Sequence, residues 1–347
     1  MLEAYLKDLE EVVNIDCGSA TVEGVTKVAE IMKRHYDELG FATELVDLGP
    51  KAGKGLRATN KPGADHYDIM FNAHLDTVFP EGTVAQRPFK IEGDRVTGPG
   101  CADCKAGVIA ILHALKAACK EDLDRLAILV CYNPDEEVSS ISSRAWLVEQ
   151  AKTAKYAIVC EPGRANGGFV RSRKGRTVWD IAVHGVSAHA GNAPQDGRAA
   201  VLAAAHLTIA LSALQDLEGR GTSVTVGVVH GGTVCNTVPD LCTLKIDTRF
   251  KSDEDGEYLK KSIRELAQKN WGDGITVEAK IASDSPAMPY TDRTKALVDI
   301  ANKIAAYTIV VDGVAPAGSG FHSAKENLQI PTIENRVETL KNVLELL

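Results

Sequence analysis

The chain has 347 residues, with 39 basic and 47 acidic side chains and a formal net charge of −8. This length is enough for two domains, or for one large core that carries an insertion. The acidic balance argues against nucleic acid or an anionic membrane surface as the main partner. No apolar run approaches the roughly 18 residues of a membrane span, and the N-terminus lacks a secretory pattern. We therefore expect a cytoplasmic protein with reduced cysteines.

Strand-like and helical segments alternate along the first half of the chain, a pattern typical of an α/β sheet with parallel members. The predicted helices are 2–15, 21–39, 105–120 and 141–152, and the predicted strands are 41–48, 67–73, 125–132 and 156–160. The Gly/Lys-rich segment 50–65 is predicted to be a surface loop. Ligands of such sheets gather at the carboxyl ends of the strands, so functional side chains are expected there.

From about Arg176 the pattern changes to β-α-β-β-α-β, the order of a ferredoxin-like split βαβ unit. Its strands are predicted at 177–185, 223–231, 240–250 and 275–282, and its helices at 195–214 and 253–269. A helix at 292–305, a strand at 307–311 and a helix at 333–346 then resemble the first half again. We predict an α/β catalytic domain of residues 1–174 and 287–347 with a mostly parallel mixed sheet, and an inserted α+β domain at 175–286.

Two motifs of the first half carry candidate metal ligands. His74 and Asp76 follow the predicted strand 67–73, and side chains two apart in an extended segment face the same side. A carboxylate often holds the second nitrogen of a metal-bound histidine, which suits Asp76. Asp103 lies in GPGCADCKAG, where it could equally serve as a helix N-cap. A dinucleotide loop is disfavoured because Asp103 stands where that fingerprint has its third glycine.

Acidic residues also follow the next two predicted strands. NPDEEVSS places Asp135, Glu136 and Glu137 directly after the strand 125–132. Adjacent acids repel one another unless a cation or solvent relieves them, so this run is either a solvated loop or part of a metal site. Glu161 follows the strand 156–160, and His322 follows a Gly-rich loop in GSGFHS.

The spacing of these residues favours a shared site. Intervals of 29, 34 and 24 residues separate His74, Asp103, Glu137 and Glu161, which is about one βα step each, and 161 residues then separate Glu161 from His322. Two histidines and three carboxylates suit zinc, and one carboxylate can bridge two ions. Two metals about 3.5–4 Å apart would activate water and polarise a carbonyl.

These motifs resemble the co-catalytic zinc metallopeptidase family of glutamate carboxypeptidase, acetylornithine deacetylase, succinyl-diaminopimelate desuccinylase and aminoacylase. The resemblance covers nearly the whole chain, and DTVFPEGT, DEEVSS and CEPGR are most similar to the glutamate carboxypeptidase branch. It implies a zinc-exopeptidase-like catalytic domain and a lid that serves for dimerisation. It also implies two Zn²⁺ ions per subunit, with Co²⁺ or Mn²⁺ as possible substitutes.

The resemblance also implies a role for each residue of the catalytic domain. His74 and Glu161 would hold one zinc, and Glu137 and His322 would hold the other. Asp103 would bridge the two ions, while Asp76 would orient His74. Glu136 would act as the general base toward the attacking water.

Three residues of the inserted domain gain roles from the same resemblance. His189, in GVSAHAGNAPQDGRAA, would reach the partner subunit's site and stabilise the oxyanion, so the active unit would be a homodimer. Asn236 and Arg249 would bind polar groups of the substrate, although Asn236 could simply serve a turn and Arg249 an ordinary salt bridge. A free C-terminal carboxylate on a small peptide or N-acyl amino acid would suit the arginine.

The expected activity is a metallocarboxypeptidase that releases a C-terminal glutamate or a similar residue. The alternative is an N-acyl-amino-acid deacylase, since such enzymes share the same metal residues. One departure favours a third interpretation: the Gly-rich Ser-Asp turn of the family is missing between 300–306 and 307–314. If the protein truly lacks this stretch, the pocket beside His322 loses a wall and the protein is expected to be a catalytically impaired binding module.

Overall fold

The computed structural model describes residues 1–163, 170–292, 294–295 and 313–347. The helix and strand predicted at 292–305 and 307–311 fall almost wholly outside these ranges, as does most of the stretch from 300 to 314 where the family turn is missing. The chain divides into two compact units, Met1–Arg171 with Thr291–Leu347, and Ser172–Tyr290. Among the described helices, none has both the length and the apolar character needed to cross a bilayer.

The helices and strands of the described residues are numbered here in chain order. The helices are α1 (Leu2–Val13), α2 (Val22–Glu38), α3 (Thr83–Gln86), α4 (Lys105–Ala117), α5 (Lys120–Arg125), α6 (Arg144–Lys152), α7 (Ala200–Ser212), α8 (Asp253–Gln268) and α9 (Ile333–Leu346). The strands are β1 (Ala42–Val46), β2 (Gly55–Thr59), β3 (Tyr67–His74), β4 (Lys90–Glu92), β5 (Arg95–Thr97), β6 (Ile128–Asn133), β7 (Ala154–Val159), β8 (Gly175–His184), β9 (Ala188–His189), β10 (Ser223–Gly231), β11 (Thr237–Val238), β12 (Leu241–Phe250), β13 (Thr276–Ser285), β14 (Gly318–Ser319) and β15 (Asn327–Gln329).

The first unit is built on a mixed five-stranded sheet in the order β1-β2-β6-β3-β7. β3 runs parallel to both β6 and β7, whereas β2 is antiparallel to β1 and to β6. The α/β class with a mixed sheet is confirmed, but only two of the four pairings between these five strands are parallel, so "mostly parallel" was wrong. The predicted surface loop at 50–65 was also wrong, because it contains β2. The Gly and Lys residues that flank β2 are typical of a loop, but the short strand between them buries Leu56 and Ala58.

Helix α4 forms the centre of this unit. Its Ala, Val, Ile and Leu residues are apolar on every side of the helix, as expected for a helix that is covered all round. Val108, Ile111 and Leu112 are fully buried in one core with residues of α1, of β3 and of α9. The first residue of α4 directly follows the turn that carries Asp103, so a rigid element supports that turn.

A small antiparallel sheet, in the order β14-β15-β5-β4, joins the C-terminal segment to the middle of the unit. The hairpin between β14 and β15 carries His322. β5 leads into the turn at 98–104 that carries Asp103. Two candidate ligands that are far apart in sequence are therefore held by neighbouring strands.

The second unit has a four-stranded antiparallel sheet in the order β10-β12-β8-β13. Alternate residues of β8, namely Trp179, Ile181 and Val183, are buried in one core with residues of α7 and α8. When only the four strands of this sheet are numbered in chain order, their spatial order is 2-3-1-4, which is the ferredoxin-like arrangement predicted from the sequence. A separate two-stranded ribbon pairs β9 with β11.

Candidate metal centre

Three neighbouring strands end at one edge of the mixed sheet and bring the predicted residues together. His74 is the last residue of β3, and it pairs with Asn133 at the end of β6. A 3-10 turn, Glu136–Val138, follows β6, and Glu161 follows β7 on the other side of β3. Because these strands are parallel, their carboxyl ends meet at the same edge, as the sequence predicted.

The first cluster surrounds the imidazole of His74. Its Nε2 atom lies 3.2 Å from Oδ1 of Asp103 and 3.8 Å from Oε2 of Glu161. The sulfur of Cys104 joins this group, since its Sγ lies within 4.8 Å of both the imidazole nitrogen and the Glu161 carboxylate. His74 and Cys104 are buried.

The second cluster surrounds the imidazole of His322. Its Nε2 atom lies 3.3 Å from Oδ2 of Asp103 and 3.3 Å from Oε2 of Glu137. The two oxygens of Asp103 thus face two different imidazoles, which puts this carboxylate between the clusters. His322 has a left-handed backbone with φ of 58°, a conformation that costs a non-glycine residue about 1–3 kcal/mol and is concentrated at functional sites.

Asp76 does more than the sequence predicted. Its backbone oxygen and its Oδ1 lie 3.0 and 3.3 Å from Nδ1 of His74. Its carboxylate also accepts hydrogen bonds from the backbone N–H groups of Glu136 and Glu137, at 3.0 and 3.1 Å, and from the hydroxyl of Ser19 at 2.6 Å. One buried carboxylate therefore orients the imidazole and also holds the turn that presents both glutamates.

Burial and the crowding of acids raise the pKa values of three groups in the site. Burial acts to lower the pKa of His74, but the charges of Cys104 and Glu161, together with hydrogen bonds that the imidazole donates to Asp103 and Asp76, hold it well above its usual value. Burial raises the pKa of Glu137 to about 8, and the charges of Asp103 and Glu136 add to this effect. Burial likewise raises the pKa of Glu136. The site thus concentrates negative charge in a region of restricted solvation.

These residues fit divalent metal ions. Two imidazoles and three carboxylates converge with nitrogen-to-oxygen distances of 3.2–3.8 Å, and the acids would repel each other without a cation between them. Neutral imidazole and carboxylate are the donors that zinc prefers in catalytic sites. In addition, the second nitrogen of His74 is already held by Asp76, the arrangement that fixes a metal-binding tautomer.

Sequence reasoning missed Glu326, although it supports the Asp103 turn. This carboxylate is 1% exposed and accepts hydrogen bonds from the backbone N–H groups of Gly100, Ala102 and Asp103, at 3.0, 3.0 and 2.9 Å. The fully buried Lys105 donates from the other side to the carbonyls of Ile15 and Pro99, both at 3.2 Å. In the sequence, Glu326 is simply an acidic residue four positions after His322, and an isolated acidic residue of this kind is usually a surface charge.

The second unit holds the remaining predicted residues. His189 and Asn236 lie close together on the ribbon, where the N–H of Ala190 donates to the carbonyl of Asn236 at 2.9 Å. Nδ1 of His189 accepts hydrogen bonds from the N–H groups of Gly191 and Asn192, both at 3.1 Å, so the neutral ring carries its proton on Nε2 and can donate from there.

Arg249 lies at the other end of the second unit's sheet from this pair. It is the penultimate residue of β12, whereas Asn236 precedes β11. Its Nε donates to Oδ1 of Asp247 at 2.7 Å, so the guanidinium already has an acidic partner within its own strand. The side chain nevertheless remains 43% exposed, which leaves part of the fork available.

Known proteins resemble this chain over most of its length. The profile of Peptidase family M20/M25/M40 matches residues 70–346. Carboxypeptidase G2 of Pseudomonas sp. (strain RS-16) is 29% identical over 96% of this chain and 87% of its own length.

Solved structures share the fold. A tripeptidase from Staphylococcus aureus superposes with a TM-score of 0.80 at 19% identity, covering 99% of this chain and 98% of its own. An M20 family metallo-carboxypeptidase from Sulfolobus solfataricus gives a TM-score of 0.72 at 18% identity, again over 99% and 98%. The family match spans both units and every residue of the two clusters, so this chain belongs to Peptidase family M20/M25/M40, whose members are metallo-hydrolases of peptide and amide bonds.

Proposed function

We propose that the protein is a dinuclear zinc exopeptidase that releases a C-terminal glutamate or a similar residue from small peptides or N-acyl amino acids. The observation that carries this proposal is the central carboxylate of Asp103, whose two oxygens face His74 and His322 at 3.2 and 3.3 Å. The similarity to carboxypeptidase G2 supports the choice of a carboxypeptidase within the family.

Each proposed metal position has its own pair of ligands. His74 and Glu161 would hold one zinc, Glu137 and His322 the other, and Asp103 would bridge them. Bound zinc supplies Lewis acidity toward the scissile carbonyl and toward water. Cobalt or manganese would suit the same donors.

Glu136 is the proposed general base. Its backbone is fixed by Asp76, and burial raises the pKa of its carboxyl toward the range in which a carboxylate exchanges protons readily. It would take a proton from the attacking water and return it to the leaving amine. A protein that only binds a ligand has no need of such a residue beside the metal positions, which argues against a binding module.

His189, Asn236 and Arg249 are the proposed substrate-binding residues of the second unit. The proton on Nε2 of His189 is the hydrogen-bond donor that an oxyanion requires. Arg249 offers a planar fork that suits the free carboxylate of a C-terminal residue.

We also propose that the second unit mediates a homodimer and lends His189 to the partner subunit's site. β10 is an edge strand of its sheet, and Val229 on it is 50% exposed. On α7, Leu202 and Ile209 are 59% and 70% exposed. Apolar side chains on an edge strand and a helix of the same unit are typical of a surface that another chain covers.

The test combines metal analysis with a hydrolysis screen. Protein loaded with zinc would be assayed for metal per chain and for turnover of N-acyl-glutamates, acetylornithine, N-acetyl-methionine and succinyl-diaminopimelate. About two zincs per chain with glutamate release would support the proposal. A preference for acetylornithine or another acyl substrate would replace it with a deacylase, and no metal with no turnover would replace it with a binding module.

Glu136→Gln separates catalysis from metal binding. We expect the variant to keep its zinc and to lose about 10²–10⁴-fold in kcat. Glu149→Gln is the matched control, because Glu149 is 67% exposed on α6 and pairs with the neighbouring Lys152. Unchanged turnover in Glu136→Gln would exclude Glu136 as the base.

A further inference from the structure

One donor in the first cluster is assigned no role by the proposed metal centre. Cys104 directly follows Asp103 and is completely buried, with its Sγ within 4.8 Å of both the His74 imidazole and the Glu161 carboxylate. We propose that Cys104 is a sulfur ligand of the metal that His74 and Glu161 hold. This inference rests on the proposed function, since it concerns the same metal position.

The geometry requires little movement. Zinc binds nitrogen and oxygen at about 2.0–2.2 Å and sulfur at about 2.3 Å, so donors of one ion lie roughly 3.3–3.8 Å apart. His74 and Glu161 already meet this condition, with 3.8 Å between Nε2 and Oε2. The sulfur must therefore close by about 1 Å or less, which a rotation of its single side-chain torsion can supply.

Two hydrogen bonds hold the sulfur beside the cluster in the metal-free chain. The thiol donates to the carbonyl of Cys160 at 3.0 Å, a bond that is given up when the sulfur binds the metal, and the backbone N–H of His74 donates to the sulfur. Hydrogen bonds to a ligand atom orient it and tune its basicity toward the metal. When the zinc–sulfur bond forms, the S–H bond breaks, and the proton leaves to solvent.

The other seven cysteines provide the contrast. Cys101 lies in the same turn and is equally buried, but its thiol contacts the carbonyl of Val96 at 3.5 Å. Of the groups of three or more potential ligands among the described residues, the only one that includes a cysteine contains Cys104. Burial of a cysteine in this turn is therefore not enough to place its sulfur among metal ligands.

A sulfur ligand would make the two metal positions chemically unequal. The position at His74 would offer a thiolate, an imidazole and carboxylates, a softer set that favours zinc over manganese. The position at His322 would offer only an imidazole and carboxylates, and the His322 side chain is 57% exposed. We therefore expect tight, slowly exchanging zinc at the first position and a readily exchanged ion at the second.

X-ray absorption on the 347-residue chain with two zincs bound tests the proposal. We expect a zinc–sulfur shell at about 2.3 Å. Because only one of the two zinc ions would bind the sulfur, the average should be one sulfur neighbour for every two zinc ions. Cys104→Ser should remove this shell and weaken zinc binding at the tighter position at least about tenfold. Even the loss of a group that only hydrogen-bonds to a ligand lowers metal affinity by about that factor. Cys101→Ser is the matched control and should keep the shell.

Wild-type protein loaded with cobalt gives a second readout that needs no variant. A sulfur-to-cobalt charge-transfer band in the near ultraviolet is expected, and its absence would overturn the proposal even if Cys104→Ser failed to fold. A shell that persists in Cys104→Ser would also overturn it, since the sulfur would come from elsewhere. If the protein binds two zincs and turns over substrate but shows no zinc–sulfur shell, only the proposal for Cys104 is overturned. If the protein binds no zinc, the proposed function is overturned as well.

Discussion

The backbone N–H of Asp103 donates a 2.9 Å hydrogen bond to Oε1 of Glu326. A buried carboxylate from the C-terminal segment thereby holds the turn that presents the central carboxylate of the candidate metal centre. The same residue follows the loop of His322, so a single side chain couples the placement of two candidate ligands that are more than 200 residues apart in the sequence.

Glu326→Gln should weaken metal binding without touching any ligand. The amide presents one oxygen and one N–H₂ group to three backbone donors, so at least one hydrogen bond is lost and a donor faces a donor. We expect zinc affinity to fall by about 10–100-fold, the usual effect of losing an outer partner.

The measurement for Glu326 is competition with a chelator, followed by zinc-dependent thermal shift. The control is Glu338→Gln, because Glu338 is 56% exposed and pairs with Lys341 on the surface of α9. Equal zinc affinity in Glu326→Gln and in the wild type would show that the turn holds its shape without this carboxylate.

Asp76→Asn should disturb both the imidazole and the turn of the glutamates. The neutral amide is a weaker acceptor for the N–H groups of Glu136 and Glu137, and charge-assisted hydrogen bonds are worth roughly 1.5–3 kcal/mol each. We expect lower zinc affinity together with a lower free energy of unfolding in the metal-free protein.

Ser19→Ala provides a graded comparison for Asp76. It removes only one of the hydrogen bonds to the Asp76 carboxylate, at 2.6 Å. Its effects on zinc affinity and on urea unfolding should be in the same direction as those of Asp76→Asn but smaller. If Asp76→Asn bound zinc like the wild type, the carboxylate would not be an orienting group.

The metal-free protein should become less stable as pH rises, and Glu137 should account for part of this loss. In the folded chain its pKa is raised from 4.5 to about 8, because burial disfavours the charged form. A group whose pKa is raised on folding contributes stability that is complete below pH about 4.5 and disappears as pH rises through about 8.

Glu137→Gln isolates this contribution, because glutamine does not titrate. Urea unfolding of chelated wild type and variant at about pH 5 and about pH 9 gives the difference in unfolding free energy at each pH. Wild type should lose more stability than Glu137→Gln between the two conditions. Parallel pH dependence of the two proteins would contradict the raised pKa.

Mixed dimers test whether His189 acts on the partner subunit. His189→Ala and Glu136→Gln homodimers should each have low activity, with a loss of about 10²–10³-fold in the former from the missing oxyanion donor. In a dimer of one chain of each kind, one site combines an intact Glu136 with an intact His189.

Co-expression of the two variants should therefore restore roughly a quarter of wild-type activity, because half of the dimers are mixed and each has one working site. Zinc content should stay unchanged throughout. Activity that remains at the level of the separate homodimers would show that His189 serves its own chain or none.

The candidate ligands could be predicted from the sequence, but most of the residues that hold them in place could not. His74, Glu137 and Glu161 lie at or soon after the carboxyl ends of three largely apolar strands, so the parallel-sheet rule was enough to predict that they meet. Glu326 and the second role of Asp76 could not be predicted, because their partners are backbone N–H groups that carry no residue identity. β2 was hidden for a related reason: five residues between Gly- and Lys-rich flanks give too short a pattern to distinguish a buried strand from a loop.

The hairpin of His322 also has a consequence for biosynthesis. When the ribosome has completed only the first 312 residues, the chain already contains His74, Asp103, Glu137 and Glu161, but neither His322 nor the clamp of Glu326 has been made. The second cluster and the support of the Asp103 turn therefore form only after His322 and Glu326 have been synthesised. A chain that stops before His322 keeps His74, Asp103 and Glu161 but lacks both the second imidazole and the carboxylate that holds the Asp103 turn.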